Sequence, residues 1–538
     1  MTVEPVTPGE GQTNPITTDY NIGQDNIQPK VGPIGLDIHN PVFAISGLVV
    51  IVMVVLTLAL PTQAEAFFGW LRPAVTSTFD WVLLTACNIF VLVALGLAIS
   101  PLGKIRIGGM EAKPDYSYAG WFAMLFAAGM GIGLMFYGVS EPISHVSSSL
   151  AEDAGTPESW APLAGAAGDE LEARRLGMAA TIFHWALHPW AIYATVGLSL
   201  AIFAYNKGLP LTIRSIFYPI FGERVWGWTG HIIDILAVFA TLFGLATSLG
   251  FGAEQATAGL NFLFGIPNTD LSKVLLVISI TGVALISVVA GLDAGVKRLS
   301  EINMVLAALL VTFIIALGPT LTILTGFFHN LVAYAEYLPS LANPFGRDDA
   351  NFSQGWTSFY WAWWISWSPF VGMFIARVSR GRTVREFILC VLIIPSIVSV
   401  LWMTAFGDTA ISMFNEGYQA IADAPLELKL FTMLNNMPLS AITSFVGIVL
   451  VIVFFVTSSD SGSLVIDTIT AGGKVDAPVS QRVFWASFEG LVAIALLLGG
   501  GLSSVQAAAV STGLPFALVL LLGCVALVKG LMSEPRSR

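Results

Sequence analysis

Five of the fifteen tryptophans of this chain crowd into twelve residues: Trp356, Trp361, Trp363, Trp364 and Trp367. Tryptophan in a membrane protein ordinarily marks the border between lipid and water, which accounts for Trp356 and Trp361. It does not account for the rest. Trp364 and Trp367 stand 8 and 11 residues into an apolar stretch, about 12 to 16 Å deep at ~1.5 Å per residue, near the centre of a bilayer. Trp363, Trp367, Phe370 and Phe374 share one helical face, with Trp364 beside it. An earlier apolar stretch repeats the theme with Trp185, Trp190 and Tyr193. The ligand best served by such walls is a quaternary ammonium, whose permanent charge has no N–H to donate and is held over ring faces at about 2 kcal/mol per desolvated contact. Aromatic stripes more often pack a core; here their depth, their density and an adjacent helix breaker favour a binding site.

The elements that position these rings are membrane helices. Of 538 residues 55% are apolar and only 11% charged, and the mean hydropathy is +0.78, a composition that excludes a water-soluble domain. The 24 Lys and Arg are scattered through short loops against 35 Asp and Glu, so there is no basic face for nucleic acid. Cys87, Cys390 and Cys524 sit unpaired in apolar runs and form neither a disulfide framework nor a thiolate metal site. Twelve stretches reach the roughly 20 residues that a helix needs to span lipid: 41–60, 81–100, 118–139, 178–205, 232–251, 274–292, 304–324, 356–376, 387–407, 440–466, 484–501 and 513–530. Residues 327–338 read as an interfacial amphipathic helix. Residues 1–40, with one base and five acids, read as a disordered tail, and 531–538 as a short second tail. When the loops are assigned alternately to the two sides, 18 of the 24 bases fall on one side, which makes that side, with both termini, cytoplasmic.

Two spans carry breakers at mid-depth. Gly129, Gly131 and Gly133 loosen the third, each weakening a helix by roughly 1 kcal/mol relative to Ala. Ser366, Ser368 and Pro369 interrupt the eighth, where Pro removes a backbone hydrogen bond. Broken helices in corresponding positions of two halves mark secondary transporters. Spans three to seven and eight to twelve form two units of five, and an odd number forces the second to enter from the opposite face.

At these residues the sequence closely resembles the betaine/carnitine/choline transporter family. The matching segments are FAAGMGIGLMFYGVSEP (126–142), FHWALHPWAIYA (183–194), WTSFYWAWWISWSPFVGMFIARVSRGRT (356–383) and FFVTSSDS (454–461). The resemblance implies an all-α integral membrane fold of 12 transmembrane helices. Two peripheral helices (41–100) precede two inverted five-helix repeats (118–324 and 356–530) of the amino-acid and sodium symporter (LeuT-like) architecture. It also implies a homotrimer in the plasma membrane that imports a trimethylammonium or related solute by alternating access. Trp185, Trp190, Tyr193 and Trp364 would cage the ammonium. Trp363, Trp367 and Phe374 would line the inner path, and Gly129 to Gly133 would face the substrate carboxylate. Family members that carry choline place an Asp where this chain has Gly133. A carboxylate lining the site would compensate a net cation but repel the acidic end of a zwitterion. Gly133 therefore favours glycine betaine, or a similar net-neutral solute such as ectoine.

The coupling ion implied is sodium, which takes hard oxygen ligands. On the family pattern Thr457 and Ser458 join the carbonyls of Ala127, Met130 and Phe454. A second family site needs two Thr one turn apart and a Phe; Thr241 and Phe370 match it, but the remaining position is Leu245. The rival reading is a proton-coupled or sodium-independent exchanger of choline or carnitine, with Asp234, Asp460 and Glu489 as intramembrane acids. His184 and His188 stand one turn apart as metal ligands can, yet no carboxylate adjoins them in the sequence, which favours packing or a structural hydrogen bond. No nucleophile and base pair lies at depth, so an intramembrane enzyme is not expected. The brevity of 531–538 departs from osmotically regulated relatives that carry a long basic extension.

Overall fold

The computed structural model describes residues 9–535 apart from 33, 130, 291 and 292. Two-residue strands come first: β1 (Asn26–Ile27) pairs antiparallel with β4 (Ile38–His39), and β2 (Lys30–Val31) with β3 (Ile34–Gly35). Helices follow: α1 (Val42–Ala59), α2 (Pro61–Ile99), α3 (Tyr118–Gly129), α4 (Ile132–Leu150), α5 (Glu170–Trp185), α6 (Leu187–Ala201), the short α7 (Tyr218–Phe221), α8 (Trp228–Phe264), α9 (Asp270–Ala290), α10 (Asp293–Leu317) and α11 (Thr320–Leu341). The remainder are the short α12 (Ala350–Phe352), then α13 (Ser358–Val378), α14 (Val384–Asn415), the short α15 (Ala420–Asp423) and α16 (Lys429–Asn435), α17 (Ser440–Thr470), α18 (Val479–Leu498) and α19 (Gly501–Met532).

Among the described residues 10 helical segments are long and apolar enough to cross a membrane, or 11 when α3 and α4 count as one bent span. The expected span that this count leaves out is the eighth, which corresponds to α13. Its tryptophans and serines make it too polar to qualify, and burial along nearly its whole length means that it needs no lipid-compatible surface. The expected interfacial helix at 327–338 is part of α11, and the stretch expected to span at 304–324 ends instead at Leu317, before Pro319.

The two expected helix breaks have different outcomes. The third span is broken: α3 stops at Gly129, Gly131 is extended, and α4 leaves at 62° to α3. The eighth is not. α13 runs through Pro369, whose missing N–H leaves the Ile365 carbonyl without its helical donor; the Ser368 hydroxyl donates to that oxygen at 2.6 Å. Instead the chain breaks at Ala186, between α5 and α6, with Pro189 in the first turn of the new helix. α6 and α13 then approach closely, because neither Gly197 nor Gly372 has a side chain; a Cβ on Gly372 would lie 2.7 Å from Val196 and 3.1 Å from the Gly197 nitrogen. Small residues permit such contact between membrane helices.

The amino-terminal segment departs from the expectation of disorder. From residue 9 onward it straps the end of the bundle where both chain ends meet, with the Asn14 side chain donating to the Ser533 carbonyl at 3.0 Å. Tyr20 stacks on Trp226 with ring centroids 4.3 Å apart, and the Arg214 guanidinium lies over both rings. Arg214 pairs with Asp234, and both side chains are buried. The same guanidinium and His231 contact His39, and burial, with the Arg214 and His231 charges, pushes the His39 imidazole down to about 3. Few hydrophobics were needed for this docking, which explains why composition alone read the segment as disordered.

Candidate functional site

The break at Ala186 turns Trp185, the last residue of α5, toward the same volume as Trp190 and Tyr193, one turn apart on α6. Trp364 of α13 is the hub. Its ring centroid lies 5.2 Å from Trp185, 5.4 Å from Tyr193 and 6.4 Å from Trp190, in edge-to-face or tilted geometry. The structure thus brings together the four expected cage residues, all buried except the partly exposed Trp364. Trp190 also meets Tyr193, with ring centroids 5.3 Å apart. Trp364 is fixed by its indole N–H, which donates to the His184 carbonyl at 3.0 Å, beside the helix break.

The glycines of the broken span border this cluster. A Cβ on Gly133 would sit 2.6 Å from the Trp185 ring and 3.0 Å from the Trp363 ring, so only glycine allows both indoles their positions. At Gly129 the same test gives 3.4 Å to Trp190, and at Gly131 nothing lies within 4 Å. Open space therefore adjoins the extended backbone where α4 begins, and a helix N-terminus there favours a negative group. The indole N–H groups of Trp190 and Trp363 are buried and, among the described residues, have no acceptor.

Of the other expected residues Trp363 adjoins the cluster, with its ring centroid 6.4 Å from Trp185 and 6.3 Å from Trp364, and Trp367 and Phe374 lie further out. Trp363 stacks on Phe359 at 5.5 Å and touches Phe251 at 5.4 Å. Trp367 donates to the Gly244 carbonyl of α8 at 2.9 Å and meets Phe370 at 5.3 Å. Phe374 is partly buried, and no ring contact joins it to the cluster among the described residues.

Of the expected ion ligands, the Thr457 hydroxyl donates within its own helix to the Val453 carbonyl at 3.0 Å and the Phe454 carbonyl at 3.3 Å. The Ser458 hydroxyl makes no hydrogen bond among the described residues. Ala127 lies in the last turn of α3, and Met130 falls outside the described residues. The Thr241 hydroxyl is turned to the Ala237 carbonyl at 2.8 Å. The intramembrane acids are engaged away from the rings: Asp234 with Arg214, Asp460 with Arg482 at 3.1 Å, and Glu489 with the Ser459 hydroxyl at 2.8 Å.

Sequence reasoning missed Glu141 and His145. His184 and His188 do not converge; His188 meets Asn88 at 2.9 Å, whereas His184 Nδ1 lies 2.6 Å from a carboxylate oxygen of Glu141, contributed by α4. Glu141, His145 and His184 bring three potential ligand atoms within 4.8 Å of one another. The other Glu141 carboxylate oxygen accepts from the Trp185 indole N–H at 2.7 Å and meets the Tyr360 hydroxyl at 2.5 Å. The signal for it was an acid inside an apolar helix with His one turn later.

The family described as BCCT, betaine/carnitine/choline family transporter, matches residues 41–536. The glycine betaine/proline/choline transporter of Vibrio parahaemolyticus is 68% identical over 98% of this chain and 96% of its own length. Glycine betaine transporter 1 of the same species is 53% identical, over 96% and 98%. The glycine betaine transporter OpuD of Bacillus subtilis is 42% identical, over 86% and 88%.

Proposed function

This chain belongs to the betaine/carnitine/choline family of transporters, and on that premise we propose that it imports glycine betaine, or a similar net-neutral zwitterion such as ectoine, by sodium symport and alternating access. It is a multi-pass membrane transporter and not an enzyme. The observation that carries the substrate reading is the convergence of Trp185, Trp190 and Tyr193 on Trp364 beside the broken α3–α4 span. Three or four such rings, at about 2 kcal/mol each, are enough to hold an onium group away from water. The start of α4 and the two indole N–H groups without acceptors suit the carboxylate of a zwitterion.

The rest of the reading follows from it. Alternating access rests on the two inverted five-helix units, with α3–α4 as the broken element of the first. Sodium, bound by Thr457, Ser458 and the carbonyls of Ala127, Met130 and Phe454, is the coupling ion. The assembly is a homotrimer in the plasma membrane, and the end of the bundle that carries both termini faces the cytoplasm. Uptake of labelled glycine betaine into vesicles holding the purified protein, with and without an inward sodium gradient, tests the whole. Accumulation only with sodium supports it, and collapse of uptake by a proton uncoupler alone contradicts it. Ectoine, proline, carnitine and choline in competition then rank the solutes.

A further inference from the structure

Along α13 from Trp364 to Val378, only Trp364, Trp367, Phe370, Phe374 and Arg377 keep partial exposure; every residue between them is buried. Steps of three or four residues put all five on one face of the helix. That face looks into the bundle and not toward lipid, since Trp364 meets Trp185 and Tyr193 and Trp367 donates to the Gly244 carbonyl of α8 at 2.9 Å. A ladder of rings thus leaves the cluster and ends on a guanidinium. Arg377 stands 13 residues after Trp364, about 20 Å along the axis at ~1.5 Å per residue. Three residues on, Arg380 pairs with Glu10, which places Arg377 at the end of the bundle where both chain ends meet.

Arg377 differs from the bases around it in having no oxygen partner. Arg380 pairs with Glu10 at 2.7 Å and with Asp115 at 3.1 Å. Arg382 donates to the Tyr116 carbonyl, and Arg385 to the carbonyls of Ala98 and Ser100. Among the described residues the Arg377 guanidinium reaches only the Met373 sulfur, at 3.6 Å, a weak acceptor. The Tyr205 phenol, on the turn Ile202–Asn206 that continues α6, lies within electrostatic reach and makes no hydrogen bond of its own among the described residues. A base that served only to orient the helix in the membrane would have no reason to sit on the ring face.

We propose that Arg377 is an inner carboxylate subsite of the transport path: its guanidinium takes the carboxylate of the zwitterion at the cytoplasmic mouth while the onium group rests on the Phe374 ring. The inference rests on the zwitterion reading above. Rings can hold the cationic end at each step of the ladder, but they offer nothing to the anionic end. A guanidinium meets a carboxylate with two parallel N–H···O bonds. Phe374 and Arg377 are three residues apart on one face, about 4.5 Å along the axis, and a single methylene separates the two charges of glycine betaine, so both ends are met at once. Partial exposure to water limits the gain in affinity to about tenfold, weak enough for the solute to leave.

The test compares right-side-out and inverted membrane vesicles from cells that produce the full-length protein, with counterflow of labelled glycine betaine as the readout. Arg377→Gln should raise the KM at the inner face, read in inverted vesicles, about tenfold, and leave the KM at the outer face within about twofold of wild type. Equal changes at the two faces overturn the proposal, since a merely structural role of the helix end moves both alike. An unmoved inner KM overturns it as well. Arg377→Lys keeps the charge but loses the two-pronged geometry, and its inner KM should rise roughly threefold with the outer KM unchanged. It decides the matter if Arg377→Gln does not insert, and an inner KM equal to wild type there contradicts the proposal. Wild-type vesicles that exchange no glycine betaine in either orientation count against the transport reading itself, and the subsite falls with it.

Discussion

The side chain of Leu245 on α8 rests directly on the bare backbone of Gly462 on α17, so closely that a Cβ at Gly462 would lie 2.3 Å from a Leu245 methyl. Leu245 stands where a second sodium site of the family pattern requires a hydroxyl. Packing against glycine thus fills with hydrocarbon a position that would otherwise present oxygen. Thr241, one turn earlier, spends its hydroxyl on its own helix. In the proposed sodium symport each charge moved supplies about 2.3 kcal/mol per 100 mV.

Leu245→Thr should restore an oxygen at this contact. The expected outcome is a steeper dependence of uptake on sodium concentration, together with a loss of stability of about 2 to 3 kcal/mol from the smaller side chain. Initial rates across a sodium series and a thermal melt of the purified variant check both parts. An unchanged slope would show that Thr241 and Phe370 do not suffice with a threonine at 245.

Gly133→Ala should damage uptake out of proportion to its size. The added methyl meets the Trp185 and Trp363 rings at 2.6 and 3.0 Å, and Trp185 cannot yield without stretching its hydrogen bond to Glu141. A KM for glycine betaine raised at least several-fold, with normal insertion, is the expected result. The same substitution at Gly131, where a methyl meets nothing within 4 Å, should be milder.

Ser368→Ala should destabilise α13 by about 1 to 2 kcal/mol, because it leaves the Ile365 carbonyl, already deprived by Pro369, with no donor in a buried helix. Pro369→Ala in the same background should recover most of the loss by returning a backbone N–H. Melting temperatures of the single and double variants measure this coupling.

These cases also show how far the sequence carried. Aromatic residues at mid-membrane depth and three glycines in five residues located the ring cluster and the broken span, since both signals are local. Pro369 misled, because its remedy, a serine hydroxyl one residue earlier, depends on a rotamer that spacing does not reveal. Ala186 and Glu141 were missed for the opposite reason. The break at Ala186 precedes Pro189 of the next helix, and the partners of Glu141 beyond its own helix come from α5 and α13, distant in sequence. The amino-terminal segment is held by a few specific polar and ring contacts, for which composition is blind.

The docking of that segment should depend on pH. The folded His39 imidazole lies at about 3 against an ordinary value near 6.5 in the unfolded chain. Its neutral form is the one the fold accepts, so stability is complete above about 6.5 and is lost as pH falls from there toward 3. His39→Gln should flatten this part of the profile. Limited proteolysis of residues 9–40 between pH 7 and pH 4 reads it, with wild-type cleavage rising at the acid end and the variant changing less.

Direct binding of labelled glycine betaine to the purified protein in sodium, wild type beside Trp364→Ala, bears most directly on the central claim. Trp364 touches every other ring of the cage, so its removal should abolish binding or weaken it at least a hundredfold, about 3 kcal/mol, while the variant still inserts and melts cooperatively. A folded Trp364→Ala protein that binds glycine betaine with near-normal affinity would contradict the aromatic site itself.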